Sequence, residues 1–223
     1  MDSDKALVIG YAGSLSYFDG KKNKNLLFSL RDWCWTYNHK VTDPSTRSAY
    51  YLFEALKVLR EKNNITSSQI RVDFWGSIDA RNIEMARKMG IDDLVRFDGF
   101  LPKQESRNRI DKCDLLFLPM ESSTGNNKPL FIPGKVFEYM KSEKPILALA
   151  GPCDCIDILQ PSGLLLAFQP TATEEIANAL FLLLSDRQLL TKYIPNEEYI
   201  NGFSFENRTR KLASIFNDVL NQS

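Results

Sequence analysis

Residues 132–151 have the sequence IPGKVFEYMKSEKPILALAG. This pattern predicts a helix over 134–141 followed by a strand over 145–150, because a segment of helical period leads into a continuous apolar run. Pro133 suits the first helical position, since proline has no amide hydrogen to leave unpaired there. A helix start carries unpaired backbone amides and the positive end of the helix dipole, so this stretch favours an anionic ligand.

The same alternation of short apolar runs and helical segments extends along the chain. Strands are predicted at 6–12, 70–75, 94–97, 114–119, 145–150 and 164–168. Helices are predicted at 47–62, 80–89, 103–112, 134–141, 153–160 and 173–184. The order predicts an α/β fold, a doubly wound parallel sheet of about six strands with helices on both faces, in a Rossmann-like arrangement.

A last helix is predicted over about 205–220, and its apolar side chains fall along one face. These side chains are Leu212, Ile215, Phe216, Val219 and Leu220. A stripe of this kind is typical of a helix that packs on a core, so we expect it to face the sheet.

Composition narrows the class of protein. The chain has 223 residues, is 43% hydrophobic, and carries 28 basic and 28 acidic residues. This supports a single domain over 1–223 and argues against a broad nucleic-acid or membrane-binding surface. The first residues lack a signal-peptide pattern and no apolar run is long enough to span a membrane, so we expect a cytoplasmic location. Membrane association would require parts outside this chain.

Residues 17–46 interrupt the alternation. A connection of this length is usually functional or contains its own helix, which we place at 26–37. Its aromatic residues Trp33, Trp35 and Tyr37 either stack on a sugar or lipid-linked acceptor or pack on the sheet. His39 is the only histidine and has no supporting motif, so we expect it at the surface.

The standard phosphate-binding loops are absent. Gly10 and Gly13 do not complete a dinucleotide fingerprint, and position 129 lacks the glycine of a P-loop. The amides near Gly134 and Lys135 can instead hold a diphosphate, with the Lys135 ammonium as a further donor. Glu138 can accept hydrogen bonds from both hydroxyls of a ribose. The alternative is an ordinary solvated surface helix.

No metal site or other cofactor is predicted. The aspartates show no metal-loop spacing, and Cys153 with Cys155 is at most half of a ligand set. Four cysteines in a chain of this kind favour reduced thiols over a disulfide framework.

Four segments resemble one protein family. PGKVFEYMKSEKPILA at 133–148 resembles the donor-site signature of group 1 glycosyltransferases, which have the GT-B architecture of two facing Rossmann-like domains. YAGSL at 11–15, VRFDGFLP at 95–102 and CDLLFLP at 113–119 resemble further family segments in the same order. The resemblance covers nearly the whole chain. It implies the C-terminal, donor-binding domain of an enzyme of polysaccharide biosynthesis, without the N-terminal acceptor-binding domain.

The resemblance also implies roles for particular residues. Glu138 would bind the ribose, and the turn formed by Pro133, Gly134 and Lys135 would bind the diphosphate. Gly13 and Ser14 would lie near the distal phosphate or the sugar. Phe100 and Leu101 would border the base.

The family uses a basic residue after the glycine turn to neutralise the leaving diphosphate. Arg47 is the candidate here, with Lys21 or Lys22 as rivals, so Arg47 and Lys135 are the predicted catalytic residues. Many members carry a second glutamate eight residues before the one that matches Glu138. Position 130 is leucine in this chain, and Glu121 has the wrong spacing to replace that glutamate.

The function implied is hexosyl transfer from a nucleoside diphosphate sugar to an acceptor held by the absent domain, with the isolated chain inactive. Two alternatives are a non-catalytic nucleotide-sugar binding module and, with less support, a fragment of a nucleotide-sugar epimerase. Only the transferase interpretation predicts that adding the upstream domain creates transfer activity. No nucleic-acid partner is expected.

Overall fold

Six parallel strands form one central sheet. They are β1 (Leu7–Ala12), β3 (Ile70–Trp75), β4 (Val95–Asp98), β5 (Leu115–Pro119), β7 (Ile146–Leu149) and β8 (Leu165–Phe168). Their order is β4-β3-β1-β5-β7-β8, and every neighbouring pair is parallel. The structure is a computed structural model that describes residues 5–18, 42–123 and 131–221. Two short strands, β2 (Thr42–Asp43) and β6 (Ser122–Ser123), form a separate antiparallel pair.

Helices cover both faces of the sheet. One face packs on α1 (Tyr50–Asn63), α2 (Arg81–Lys88) and α6 (Thr173–Ser185), and the other on α3 (Lys103–Asp111), α4 (Lys135–Lys141) and α5 (Asp154–Leu159). The chain ends in α7 (Glu197–Asn201) and α8 (Phe205–Asn221). Short 3-10 turns occupy Pro44–Thr46, Gln160–Ser162 and Arg187–Lys192. The predicted α/β fold class and doubly wound, Rossmann-like architecture are confirmed.

Burial on both faces explains why the strands are continuous apolar runs. In β1, Leu7, Ile9 and Tyr11 enter the core under α1, whereas Val8 enters the opposite core under α4. All four side chains are buried because each face of the sheet has its own helical layer. The predicted strand bounds are therefore within one residue of the observed bounds at every end.

The strand order creates a topological switch point at the carboxyl ends of β1 and β5. From β1 the chain builds outward through β3 to β4, then crosses back and builds through β5 and β7 to β8. The loops after β1 and β5 therefore leave the sheet toward opposite faces. Open α/β sheets bind ligands in the crevice that this divergence produces.

Two of the differences between predicted and observed helix starts concern predicted site residues. Helix α1 begins at Tyr50, so Arg47 lies three residues before the helix rather than within it. Helix α4 begins at Lys135, with Gly134 as its N-cap residue, so Pro133 precedes the helix and is not its first residue. Cap geometry decides such boundaries, and helical periodicity does not resolve them.

The helix predicted over about 205–220 is present as α8, but the expectation that its apolar stripe faces the core is wrong. No residue of α8 is buried against the described part of the chain, and Phe216 in its apolar stripe is 59% exposed. Both faces of the sheet are already covered by other helices, so no core surface remains for this one. Periodicity shows that a helix has an apolar side but not what covers that side.

Residues 19–41 lie outside the described residues. The predicted helix at 26–37 and the residues Lys21, Lys22, Trp33, Trp35, Tyr37 and His39 fall in this range and stay predictions. Cys113, Cys153 and Cys155 are buried free thiols. Across the described ranges, no helix is long and apolar enough to cross a membrane, and no cluster of three or more potential metal ligands occurs.

Candidate functional site

A cavity of about 520 Å³ opens beside the switch point. Its walls are the ends of β1 and β3, the loop after β4, helix α3 and helix α4. Five of the residues predicted for the site line it, namely Gly13, Phe100, Leu101, Lys135 and Glu138. These residues are up to 125 positions apart in sequence, and the parallel sheet brings their loops to one edge.

Four predicted site residues are not in the cavity wall. Pro133 is buried next to the start of α4, and Gly134 is exposed there. Ser14 lines a neighbouring depression of about 460 Å³, together with Asp79 and Arg81. Arg47 lies close enough for its charge to act on Lys135 and on Tyr11.

The turn after β1 depends on two glycines in the left-handed region. Gly13 has φ +128° and Gly76 has φ +119°. The Gly13 amide donates to the Trp75 carbonyl at 2.9 Å, and a Cβ on Gly76 would lie 2.4 Å from the Gly13 carbonyl oxygen. Without side chains, the two turns pack backbone against backbone and leave the cavity open above them.

Lys135 reaches across the cavity floor from α4 to this turn. Its Nζ lies 3.8 Å from the centre of the Tyr11 ring. A Cβ on Gly13 would be 2.9 Å from the same nitrogen, so glycine at position 13 makes room for the ammonium group. The side chain is half-buried, and this burial together with the Arg47 charge lowers the pKa of Lys135 to about 7, although Glu138 opposes the shift.

This shift leads to a prediction about stability and pH. The pKa of Lys135 is lower in the folded protein than the value of 10.5 in an unfolded chain, so the unfolded state binds more protons between these values. The cost of burying Lys135 is therefore fully present below pH 7 and disappears as pH approaches 10. Urea unfolding at pH 6 should show that Lys135→Met is more stable than wild type. The difference should be about 1.4 kcal/mol for each unit by which the pKa of Lys135 is lower in the folded than in the unfolded state. The difference should vanish near pH 10. A difference that does not vary with pH would contradict a depressed pKa for Lys135.

Two tyrosines hold the site together, and sequence analysis did not identify either. The Tyr139 hydroxyl accepts a hydrogen bond of 3.0 Å from the Ala12 amide, which ties α4 to the end of β1. The Tyr11 hydroxyl donates to the Ser14 carbonyl within the glycine turn. Burial raises the pKa of both hydroxyls, so they stay neutral. Their positions in a strand and on the apolar face of a helix indicated only core packing.

The start of α4 leaves backbone donors available. Among the described residues, no acceptor bonds the amides of Gly134 or Lys135, whereas the next amide, of Val136, donates to the Pro133 carbonyl at 3.0 Å. Free amides beside an ammonium group form a region of positive potential that suits an anion.

Apolar side chains line another part of the cavity wall. The Trp75 indole is buried there, and its N–H donates to the Ser106 hydroxyl at 2.8 Å. Leu101 forms part of the same wall, and Phe100 stands 87% exposed at the rim. The cavity thus has a cationic part, where the Lys135 ammonium faces Gly13, and an apolar part beside Leu101 and Phe100. A ligand with an anionic part and a flat apolar part matches this polarity.

The family model for glycosyl transferases group 1 matches residues 41–186. No curated protein sequence matches the chain.

Solved structures with a similar fold include Anabaena HepE in complex with UDP, with a TM-score of 0.59 and 16% sequence identity. That match covers 97% of this chain and 50% of HepE. A glycosyltransferase from Rickettsia africae ESF-5 has a TM-score of 0.62 and 15% identity over 98% of this chain and 49% of that protein.

The C-terminal domain of the group 1 glycosyl transferase LpcC from Francisella tularensis has a TM-score of 0.54 and 17% identity, over 90% of this chain and 87% of that domain. The chain thus spans about half the length of HepE and of the Rickettsia protein. At these identities the likeness concerns the fold.

Proposed function

The chain belongs to the glycosyl transferases group 1 family, and from this premise we propose that its cavity binds a nucleoside diphosphate sugar. The diphosphate would lie in the cationic part between Gly13 and the start of α4, and the base in the apolar part beside Leu101 and Phe100. Glu138, exposed on the cavity wall one turn into α4, would accept hydrogen bonds from the ribose hydroxyls.

One observation carries this proposal. The Lys135 ammonium lies at the switch point against a glycine turn with no side chain in the way, in the cavity whose wall carries Glu138. A half-buried cation without a hydrogen-bonded carboxylate among the described residues is costly in the empty protein. A bound diphosphate would supply the missing counter-charge. The same cation would then stabilise the negative charge that develops as the nucleoside diphosphate leaves.

The reaction we propose is transfer of a hexose to an acceptor held by a second domain. We propose a further domain as the acceptor-binding wall of the cleft, and the finding that this chain spans about half the length of HepE supports this. Lys135 and Arg47 would carry the leaving-group charge, and the expectation that no metal is required stays a prediction. The cytoplasmic location and the part in polysaccharide synthesis also stay predictions. UDP is the first nucleotide to test, because HepE was solved with UDP.

The role of Glu138 gives a direct test. Glu138→Ala should weaken UDP binding by about tenfold or more, as expected for loss of hydrogen bonds to a charged group. It should not change the affinity for inorganic pyrophosphate, which has no ribose. Calorimetry with both ligands measures the two effects, and thermal melting checks that the variant stays folded. Equal losses for both ligands would place Glu138 at the phosphates, and an unchanged UDP affinity would remove it from the site.

A further inference from the structure

Arg47 is held at the site by a small, separate substructure. Strands β2 and β6 pair at this point, and Thr46, which is buried, links them. The Thr46 hydroxyl accepts a hydrogen bond of 2.7 Å from the Ser122 amide and lies 2.9 Å from the Met120 carbonyl. The backbone immediately before Arg47 is thereby fixed to the segment that follows β5, at one edge of the switch point.

The Arg47 side chain has two neighbours. Its Nη1 lies 3.9 Å from a carboxylate oxygen of Glu121, and its guanidinium carbon lies 4.9 Å above the centre of the Phe131 ring. Neither contact is a hydrogen bond, since 3.9 Å exceeds hydrogen-bond length. Within residues 42–123 and 131–221, the Arg47 guanidinium makes no hydrogen bond and no further ion pair, so no partner in these ranges occupies its N–H donors.

Glu121 also balances charge. The Arg47 charge opposes protonation of Lys135 and so helps to lower its pKa, and a carboxylate next to Arg47 offsets part of this repulsion. Glu121 follows β5 directly, and its side chain is only 25% exposed beside an Arg47 side chain that is 33% exposed. An ion pair that is partly withdrawn from water is screened less than one on the open surface. The carboxylate thereby helps to hold the guanidinium over Phe131, in the segment that leads into the start of α4.

We infer that Glu121 is a positioning residue, which acts through Arg47 to hold its guanidinium toward the diphosphate opposite Lys135. This inference rests on the proposed function. It assigns a role to a carboxylate whose spacing is wrong for the second glutamate of the family pattern.

The direction in which Glu121→Gln changes UDP affinity tests this inference. As a bare negative charge near a diphosphate, Glu121 would oppose binding, so its removal would tighten the complex. As a positioning residue, Glu121 favours binding, so Glu121→Gln should weaken UDP binding about three- to tenfold. In an Arg47→Ala background only the repulsion remains. There, the same substitution should leave UDP affinity unchanged or raise it.

The experiment is a double-mutant cycle of Glu121→Gln and Arg47→Ala, with calorimetry of UDP binding and a thermal melt of each variant. Glu174→Gln is the matched control, because Glu174 pairs with Lys62 at the surface away from the cavity and its loss should not affect UDP. Tighter binding by Glu121→Gln alone, or an equal loss with and without Arg47, would overturn the inference. If wild type binds no nucleoside diphosphate, the proposed function fails, and the inference fails with it. If wild type binds UDP and only the cycle fails, the proposed function stands.

Discussion

Replacing Lys135 with methionine should weaken UDP binding about 10- to 100-fold, because hydrogen bonds to charged groups contribute about 1.5–3 kcal/mol. Methionine keeps most of the apolar stem and removes the ammonium group, which lies over the Tyr11 ring and faces Gly13. The protein should not lose stability, since a half-buried amine with a pKa lowered to about 7 is costly in the empty state. The loss would thus belong to the complex and not to folding.

Calorimetry at several pH values sharpens this test. Wild-type affinity for UDP should fall as pH rises above about 7, because the empty protein then increasingly carries a neutral Lys135 that must be protonated on binding. The methionine variant should show a flat profile over the same range. Lys141→Met is the control, since Lys141 lines the same cavity but is exposed on the last turn of α4. A loss as large at Lys141 as at Lys135 would mean that general surface charge, and not the buried ammonium, binds the anion.

Gly76→Ala should lower the free energy of unfolding by roughly 2–4 kcal/mol and abolish UDP binding in the molecules that fold. Two costs combine at this position. The backbone has φ +119°, which L side chains rarely adopt, and the new Cβ would lie 2.4 Å from the Gly13 carbonyl oxygen. Relief of that overlap must move the glycine turn that lies under the Lys135 ammonium.

Gly99→Ala provides the control for this effect. Gly99 follows β4 and accepts a hydrogen bond from the Gly76 amide, but it has no positive φ, and a Cβ there would meet nothing within 4 Å. Urea unfolding of the two variants should separate them by at least about 2 kcal/mol. Similar stability for both would show that the turn tolerates a side chain, and the close packing of Gly13 against Gly76 would not constrain the site.

The predicted strands and helices already put several residues of the candidate site in loops at one edge of the sheet. Gly13 follows a predicted strand, Phe100 and Leu101 follow another, and Lys135 opens a predicted helix. In a parallel sheet such positions converge on one edge, so the strand pattern already implies that they lie close together. The prediction for Ser14 was less complete, because one residue beyond Gly13 the side chain lines a different depression.

Glu121 and Tyr139 show what the sequence could not provide. Glu121 was set aside on spacing, yet a two-residue strand pair and the Thr46 hydroxyl bring it to Arg47. Tyr139 lies on a predicted helix, but its hydrogen bond to the Ala12 amide joins positions 127 residues apart, so no local pattern indicates that bond. The apolar stripe of α8 was assigned to a core that other helices already fill.

The sequence by itself determined the α/β class, the strand bounds and the edge of the sheet where the site lies, because these follow from local hydrophobic period and from the geometry of parallel strands. Only the tertiary structure decided the charge state of Lys135, the orientation of Arg47 and the close packing of the two glycine turns. These depend on desolvation, on Coulomb interactions and on contacts between atoms far apart in the chain, and such quantities exist only once the chain has folded.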